Sequence, residues 1–456
     1  MTTTLQRRTA ALLGLGLLLL AAPASGQSLW GQSSTFVRGF VRPTGQDVAT
    51  YIPFYEMVQL HGRKLGVDGL SLDASIWGMV DVVDIQERYR AAGDVSVLNL
   101  SYQAPSEGRL KFLRGLDVTA GRQLVALGPV VLEQVDGGKI HYLHSSGLEV
   151  GFFGGAPTGT RFTAQPWPIG QDRYNYGYSW LMGGRIGYLD LGRIAGGVSY
   201  VQRRYAGRIA DNDIGADFSF VPIDLIEVTG SGTVNLEALR AREARGAVRI
   251  RPIRKLDILV GYRFTSPDLY VPRSSIFSVF SEETYQEAGI DARWQATRAL
   301  SLEAGYGLRF YNAAADGRAG ADYKNRASVR AQLRFGQDLL GRVVLEGERV
   351  EAPDNAFTRA RVATSIPFHL LGRVFATIVE LDTLVLDELF RGTRVSFTGG
   401  GYLMVPVTPR LSLMAGGNGN FSPLLQNAGT FLARLTWAFE APSASSAVAV
   451  RRGGVQ

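Results

Sequence analysis

Histidine is the first side chain to examine for chemistry in a chain that has no cysteine. There are four, His61, His141, His144 and His369. His141 and His144 lie close together, with Ser145 beside them. A hydrolase at this place would need serine, histidine and an orienting partner in contact. Residues three apart on a strand point to opposite faces, so this spacing works against such a triad and against a shared metal. The absence of cysteine excludes thiolate metal sites, thiol nucleophiles, disulfides and a lipid-modified cysteine anchor. The "GGG" at 399–401 has no helix after it to supply the N-terminus that a phosphate loop uses. It reads as a strand kink. No cofactor is expected.

Arginine is the residue type that recurs with a pattern. Five of the 48 basic residues are lysines, Lys64, Lys111, Lys139, Lys255 and Lys324, and the other 43 are arginines. Arg326, Arg330 and Arg334 repeat at four-residue intervals. Arg185, Arg249, Arg251, Arg263, Arg309, Arg359 and Arg361 also fall on the polar side of alternating segments. Two consequences are possible. These arginines can line a water-filled lumen and attract anions. They can also pair with Glu227, Glu303, Glu346, Glu348 and Asp291 and stiffen a wall. Both are expected in part. Nucleic-acid binding is not expected, because the basic residues alternate along strands instead of forming one exposed patch.

The elements that must position these arginines are strands. In "LSLEAGYGLRF", 300–310, every second residue is apolar, and Ser301, Glu303, Gly305, Gly307 and Arg309 fill the alternate places. "NRASVRAQLRF", 325–335, sets Ala327, Val329, Ala331, Leu333 and Phe335 against Arg326, Ser328, Arg330, Gln332 and Arg334. The pattern continues along the chain in about 22 segments, with 18 to 22 plausible. Glycine, at 55 of 456 residues, is about 12% against a typical ~7%. No amphipathic helix or linker divides the segments. The expected fold is all-β: a single large antiparallel transmembrane β-barrel, since one closed barrel absorbs that many strands without leaving edges. Short connections ("SSG" 145–147, "DLG" 190–192, "PID" 222–224, "PIRK" 252–255, "TRA" 297–299, "TPR" 408–410) interleave with longer ones at 156–177, 266–284, 312–324 and 383–391. That asymmetry belongs to outer-membrane barrels, with short turns in the periplasm and long loops outside. Trp77, Trp180, Trp294 and Trp437 suit interfacial girdles.

The ends complete the expected organisation. Arg7 and Arg8, the apolar run Ala10–Ala22 and "APA" at 22–24 describe a signal peptide over 1–26. The barrel is expected over 27–439 and a periplasmic tail over 440–456. "GTFLARLTWAF", 429–439, places Phe431, Ala433, Leu435, Trp437 and Phe439 on one face. It resembles the closing strand that the barrel-assembly machinery recognises in Gram-negative outer-membrane proteins, although here "EAPSASSAVAVRRGGVQ" follows it.

With these features the chain resembles a Gram-negative outer-membrane porin. "AGRQLV" at 120–125, "DGGKIHY" at 136–142 and "LEVGFFGGAP" at 148–157 resemble large barrels of delta-proteobacterial type, a group that includes polysaccharide-export porins. The resemblance implies an outer-membrane channel and not an enzyme. It passes hydrophilic, anionic solute or polymer, with a periplasmic polysaccharide-export protein as a possible partner and outer-membrane lipid around it. The alternatives are an outer-membrane hydrolase and a structural or adhesive barrel with a closed lumen. The lumen electrostatics are assigned to Arg249, Arg251, Arg263, Arg309, Arg326, Arg330, Arg334, Arg359, Arg361, Glu303, Glu346 and Glu348. The constriction is assigned to the segments 124–137 and 156–177.

Overall fold

The computed structural model describes residues 28–44, 47–65, 67–81, 91–105, 113–158, 179–189, 192–205, 208–266, 284–311, 322–336, 339–351, 356–422 and 427–441. The expected signal peptide and most of the expected tail lie outside these residues. So does the greater part of 156–177. Among the described residues every regular element is a strand. In chain order they are β1 (Ser28–Thr44), β2 (Asp47–Tyr51), β3 (Pro53–Arg63), β4 (Leu70–Asp81), β5 (Ala91–Gln103), β6 (Leu116–Leu127), β7 (Val131–Leu143), β8 (Leu148–Pro157), β9 (Trp180–Tyr188), β10 (Ile194–Tyr205), β11 (Arg208–Ile223) and β12 (Ile226–Asn235). There follow β13 (Arg240–Ile253), β14 (Leu256–Thr265), β15 (Tyr285–Gln295), β16 (Leu300–Tyr311), β17 (Asp322–Phe335), β18 (Gly341–Val350), β19 (Phe357–Leu370), β20 (Arg373–Phe390), β21 (Thr393–Thr408), β22 (Leu411–Phe421) and β23 (Ala428–Ala441).

Each strand pairs antiparallel with its neighbours, and β1 closes the sheet on β23 from Leu29↔Ala441 to Val41↔Gly429. β2 and β3 are one barrel strand. Both pair with β1 in a single continuous register, Phe40↔Tyr51 and then Val37↔Phe54, and are separated only at Ile52. Pro53, which has no N–H to give to the ladder, follows directly. The 23 segments therefore form a closed barrel of 22 strands, as the alternation in the sequence predicts.

Closure fixes which side chains face in and out. Phe152, Ile186, Val329, Trp294 and Trp437 stand on the outer surface, with Val329 62% and Phe152 61% exposed. The alternate positions carry Ser199, Asp213, Thr233 and Ser301, all buried on the inside. A belt of large exposed apolar side chains around a polar interior is the arrangement of a membrane barrel, the inverse of a soluble sandwich. No helix among the described residues is long and apolar enough to cross a membrane. The barrel crosses with strands, as an outer-membrane protein of a Gram-negative bacterium does. Trp77 departs from the girdle expectation. Its register opposite Met57 puts it on the inner face.

The rims also follow from the register. The short turns at 145–147, 224–225, 254–255, 297–299 and 409–410 lie at the rim that carries both chain ends. The segment 383–391 is not a loop. β20 stays paired to β19 through Thr383, Val385 and Leu386, and the chain turns only at Arg391 and Gly392. The β-branched and apolar residues there favour continued strand. A closed ladder of this size resists detergent unfolding. The mature protein should migrate faster unboiled than boiled in a denaturing gel, and identical mobility would contradict closure.

Candidate functional site

Twenty-two strands at ~4.8 Å spacing and ~40° tilt enclose a backbone cylinder roughly 40 Å across. Side chains on the wall cannot fill such a bore, so what enters the lumen decides what can pass. Among the described residues, one element enters it. The pairing of β5 with β6 stops at Leu98↔Arg122, and that of β7 with β8 stops at Val135↔Pro157. Beyond these points, apart from Thr158 N–H donating to Gln134 O at 2.9 Å, β6 and β7 pair among the described residues only with each other, as far as Leu127↔Val131. This hairpin tip leaves the wall and lies over the inner faces of β8 to β12. Pro129 O accepts from Thr233 Oγ1 at 3.4 Å, and Glu133 pairs with Arg203. A Cβ built on Gly215 would fall 2.5 Å from Val130 Cγ1.

Two glycines make the bend. Gly121 has φ +116, where side chains are rarely tolerated. Its register partner Gly137 approaches Gly154 O so closely that a Cβ there would sit at 2.0 Å. The motifs "AGRQLV", "DGGKIHY" and "GFFGGAP" thus meet in one inward bend. The hairpin is seated by apolar contact. Val125, Leu127 and Val135 bury against Phe153, Leu181 and Val201, with Val130 beside them. Burying such side chains contributes roughly 1.5–3 kcal/mol each. The segment 124–137 is therefore two strand ends and a turn inside the barrel.

Beneath the hairpin is a cavity lined by Ala126, Leu127, Gly128, Lys139, His141, Glu149, Gly151, Arg185 and Leu189. Glu149 orders it. His141 Nε2 lies 2.9 Å from Glu149 Oε1, and Arg185 Nε donates to Oε2 at 3.0 Å. Arg185 also donates to Asp217 and, at 3.2 Å, to Ser199 Oγ. It is buried as a strut under Gly128. Lys139 has no acidic partner among the described residues, so its ammonium is available to a solute in this cavity. His144 bonds Ser146 Oγ at 2.8 Å in the turn and does not join His141 and Ser145 in a triad. Among the described residues no group of three or more His, Cys, Asp or Glu could hold a metal.

The arginines predicted from the alternation all lie on the inner face, and the register brings most of them to carboxylates. One row runs across β15 to β20. Arg293 and Arg330 flank Glu303 at 3.2 and 3.6 Å, Arg330 and Arg361 flank Glu346 at 3.1 Å each, and Arg361 reaches Glu380 at 2.7 Å. A second row, nearer the long loops, places Glu287 2.7 Å from Arg309 and 3.6 Å from Arg326. Arg326 also meets Glu348 at 2.9 Å, and Arg359 pairs with Asp382. To one side, Arg249 contacts Glu227 and Asp257 at 3.5 and 3.2 Å, Arg251 contacts Glu227 at 3.4 Å, and Arg263 contacts Glu243 at 3.4 Å. The Arg249–Asp257 and Arg330–Glu346 contacts are between charges without aligned hydrogen bonds. Arg334 and Arg342 face each other in register, and neither has an acidic partner among the described residues. Asp291 lies on the same wall with no basic partner described. The wall is thus an alternating lattice with a small excess of guanidinium, and its effect on a passing ion is weaker than free arginines would give.

Residue alternation alone does not assign a role to Arg122, Asp94, Asp136, Lys139 or Glu133. The available signal was Arg122 itself, a charge at an outward-parity position one step from the exposed Leu124.

No protein-family model and no curated protein matches this sequence. Solved structures with similar folds include the outer-membrane protein OpdK of Pseudomonas aeruginosa, at 10% identity over 91% of this chain and 99% of that one, TM-score 0.44. OccK2 (OpdF) of the same organism in complex with glucuronate is 10% identical over 90% and 98%, TM-score 0.43. OccAB1 of Acinetobacter baumannii is 11% identical over 92% and 98%, TM-score 0.38.

Proposed function

We propose that this chain is a passive outer-membrane channel that passes small hydrophilic solutes and prefers anions. The observation that carries this reading is the hairpin seated in the lumen. It narrows the bore beside a wall rich in arginine and above a cavity that offers the Lys139 ammonium. Preference arises as the solute passes from water to a confined cationic surface, where low-dielectric walls focus the field. The carboxylates of the wall keep the preference modest and leave binding weak enough for release.

Polysaccharide export with a periplasmic partner is the finer alternative suggested by the short motifs. It has no supporting observation, because those motifs build the inward bend and the hairpin narrows the path a polymer would need. The test is liposome swelling with solutes of matched size. Glucuronate should enter several-fold faster than glucose, and replacing Lys139 with Gln should reduce the difference. Equal rates for the two solutes, or no swelling at all, would overturn the reading.

A further inference from the structure

The fork where β6 leaves the wall exposes one edge of β5. β5 runs on from Leu98 to Ala91, and β6 runs on from Arg122 to Leu127, but the two are unpaired over these stretches. Unpaired carbonyls on a strand that crosses a bilayer are costly. Two of them are taken by side chains of the hairpin. Arg122 Nη1 donates to Val95 O at 2.8 Å, and Gln134 Nε2 donates to Ser96 O. The same Arg122 Nη1 donates to Asp94 Oδ1 at 2.9 Å. Its Nε and Nη2 donate to the two oxygens of Asp136, each at 2.7 Å. One guanidinium therefore ties β5, β6 and β7 together at the point of divergence, with its bidentate face on the hairpin.

We infer that Arg122 is the positioning residue of the constriction. It substitutes for the ladder bonds lost at the fork and so holds the hairpin in the lumen. The free edges of β5 and β6 continue the register of Leu98↔Arg122, so they define the alternative. A hairpin released from Arg122 satisfies the exposed carbonyls by pairing with β5 in the wall, which widens the bore. Arg122 makes no contact with the wall lattice or the Lys139 cavity, and its role is to set where the narrowest part stands. The inference deepens the channel reading and rests on it only for its consequence in permeation.

The absence of native cysteine makes the position of the hairpin directly readable. Val130 lies against Gly215, so Val130→Cys with Gly215→Cys should form a disulfide under mild oxidation and report the seated hairpin. Adding Arg122→Gln should slow its formation roughly tenfold, the loss of one charge-assisted bidentate pair. Arg122→Lys, which keeps the charge but loses the fork, should fall between. Without the cysteines, Arg122→Gln should raise single-channel conductance, and closing the disulfide in the triple variant should restore the parent value. Asp136→Asn supplies the same test if the Arg122 variants do not give heat-modifiable barrel. Unchanged cross-linking rates in Arg122→Gln or Asp136→Asn would overturn the inference. Cross-linking that slows in a protein that never conducts would leave the inference standing and overturn the channel reading.

Discussion

Arginine at Val329 is expected to destabilise the barrel by roughly 2–4 kcal/mol, the cost of a charge near the bilayer midplane. Val329 is 62% exposed on the outer face, midway along β17. An arginine there must enter hydrocarbon or distort the bilayer around it. The neighbouring Ser328 faces the lumen opposite Gly305 and Glu348, where an arginine meets water and the Arg–Glu lattice. Arg at 328 should therefore cost far less. Reversible unfolding in lipid vesicles, followed by tryptophan fluorescence, measures both. Equal tolerance at the two positions would mean that the inside and outside of the wall have been exchanged.

Aspartate at Val125 is expected to release the hairpin and raise conductance several-fold. Val125 is fully buried in a cluster with Leu127, Val135, Phe153, Leu181 and Val201, all of them apolar. An unpaired buried charge costs far more than the side chain's own burial contributes, so the hairpin lifts or the group takes up a proton. The rest of the barrel does not depend on this contact, because the ladder of β8 to β12 stays paired without it. Gel mobility should remain heat-modifiable while the cut-off for neutral sugars rises in liposome swelling. A folded variant with the parent cut-off would place the hairpin outside the conduction path.

Much of the fold is written in residue alternation. Strand count, the outer belt and the inward position of the arginines that meet Glu303, Glu346 and Glu348 follow from period two alone, because register within a strand is local; the same parity puts Arg349 on the outer face, where it pairs with Asp387. Pairing between strands is not local. That Arg330 meets Glu303 and Glu346, and not another acid, depends on where each hairpin turns, and the alternation leaves that free by two residues either way. The hairpin shows the same limit. Val125 and Leu127 alternate with Leu124 and Ala126 as in any wall strand, and only Gly121 with Gly137 marks the bend. Which way such a bend carries the chain is decided by the apolar side chains of β8 to β10 that await it. Arg122 was hidden because parity assigns it to lipid, and only the unpaired edge of β5 shows what it satisfies.

The central claim, a lumen whose arginine-rich wall selects anions, is tested most directly by the reversal potential of the purified protein in a planar bilayer under a salt gradient. Arg326, Arg330 and Arg334 stand on the inner face of β17, ~13 Å apart. A Debye length of ~10 Å at 0.1 M salt leaves them visible to a passing ion. Glutamate at 326 would join Glu287 and Glu348, and glutamate at 330 would join Glu303 and Glu346, so the triple substitution turns the lattice into an acidic cluster. The parent protein should give a potential on the anion side, the triple variant one on the cation side, and the gap between them should shrink at high salt. A conducting parent with no anion preference, or a triple variant with an unchanged potential, would contradict the account.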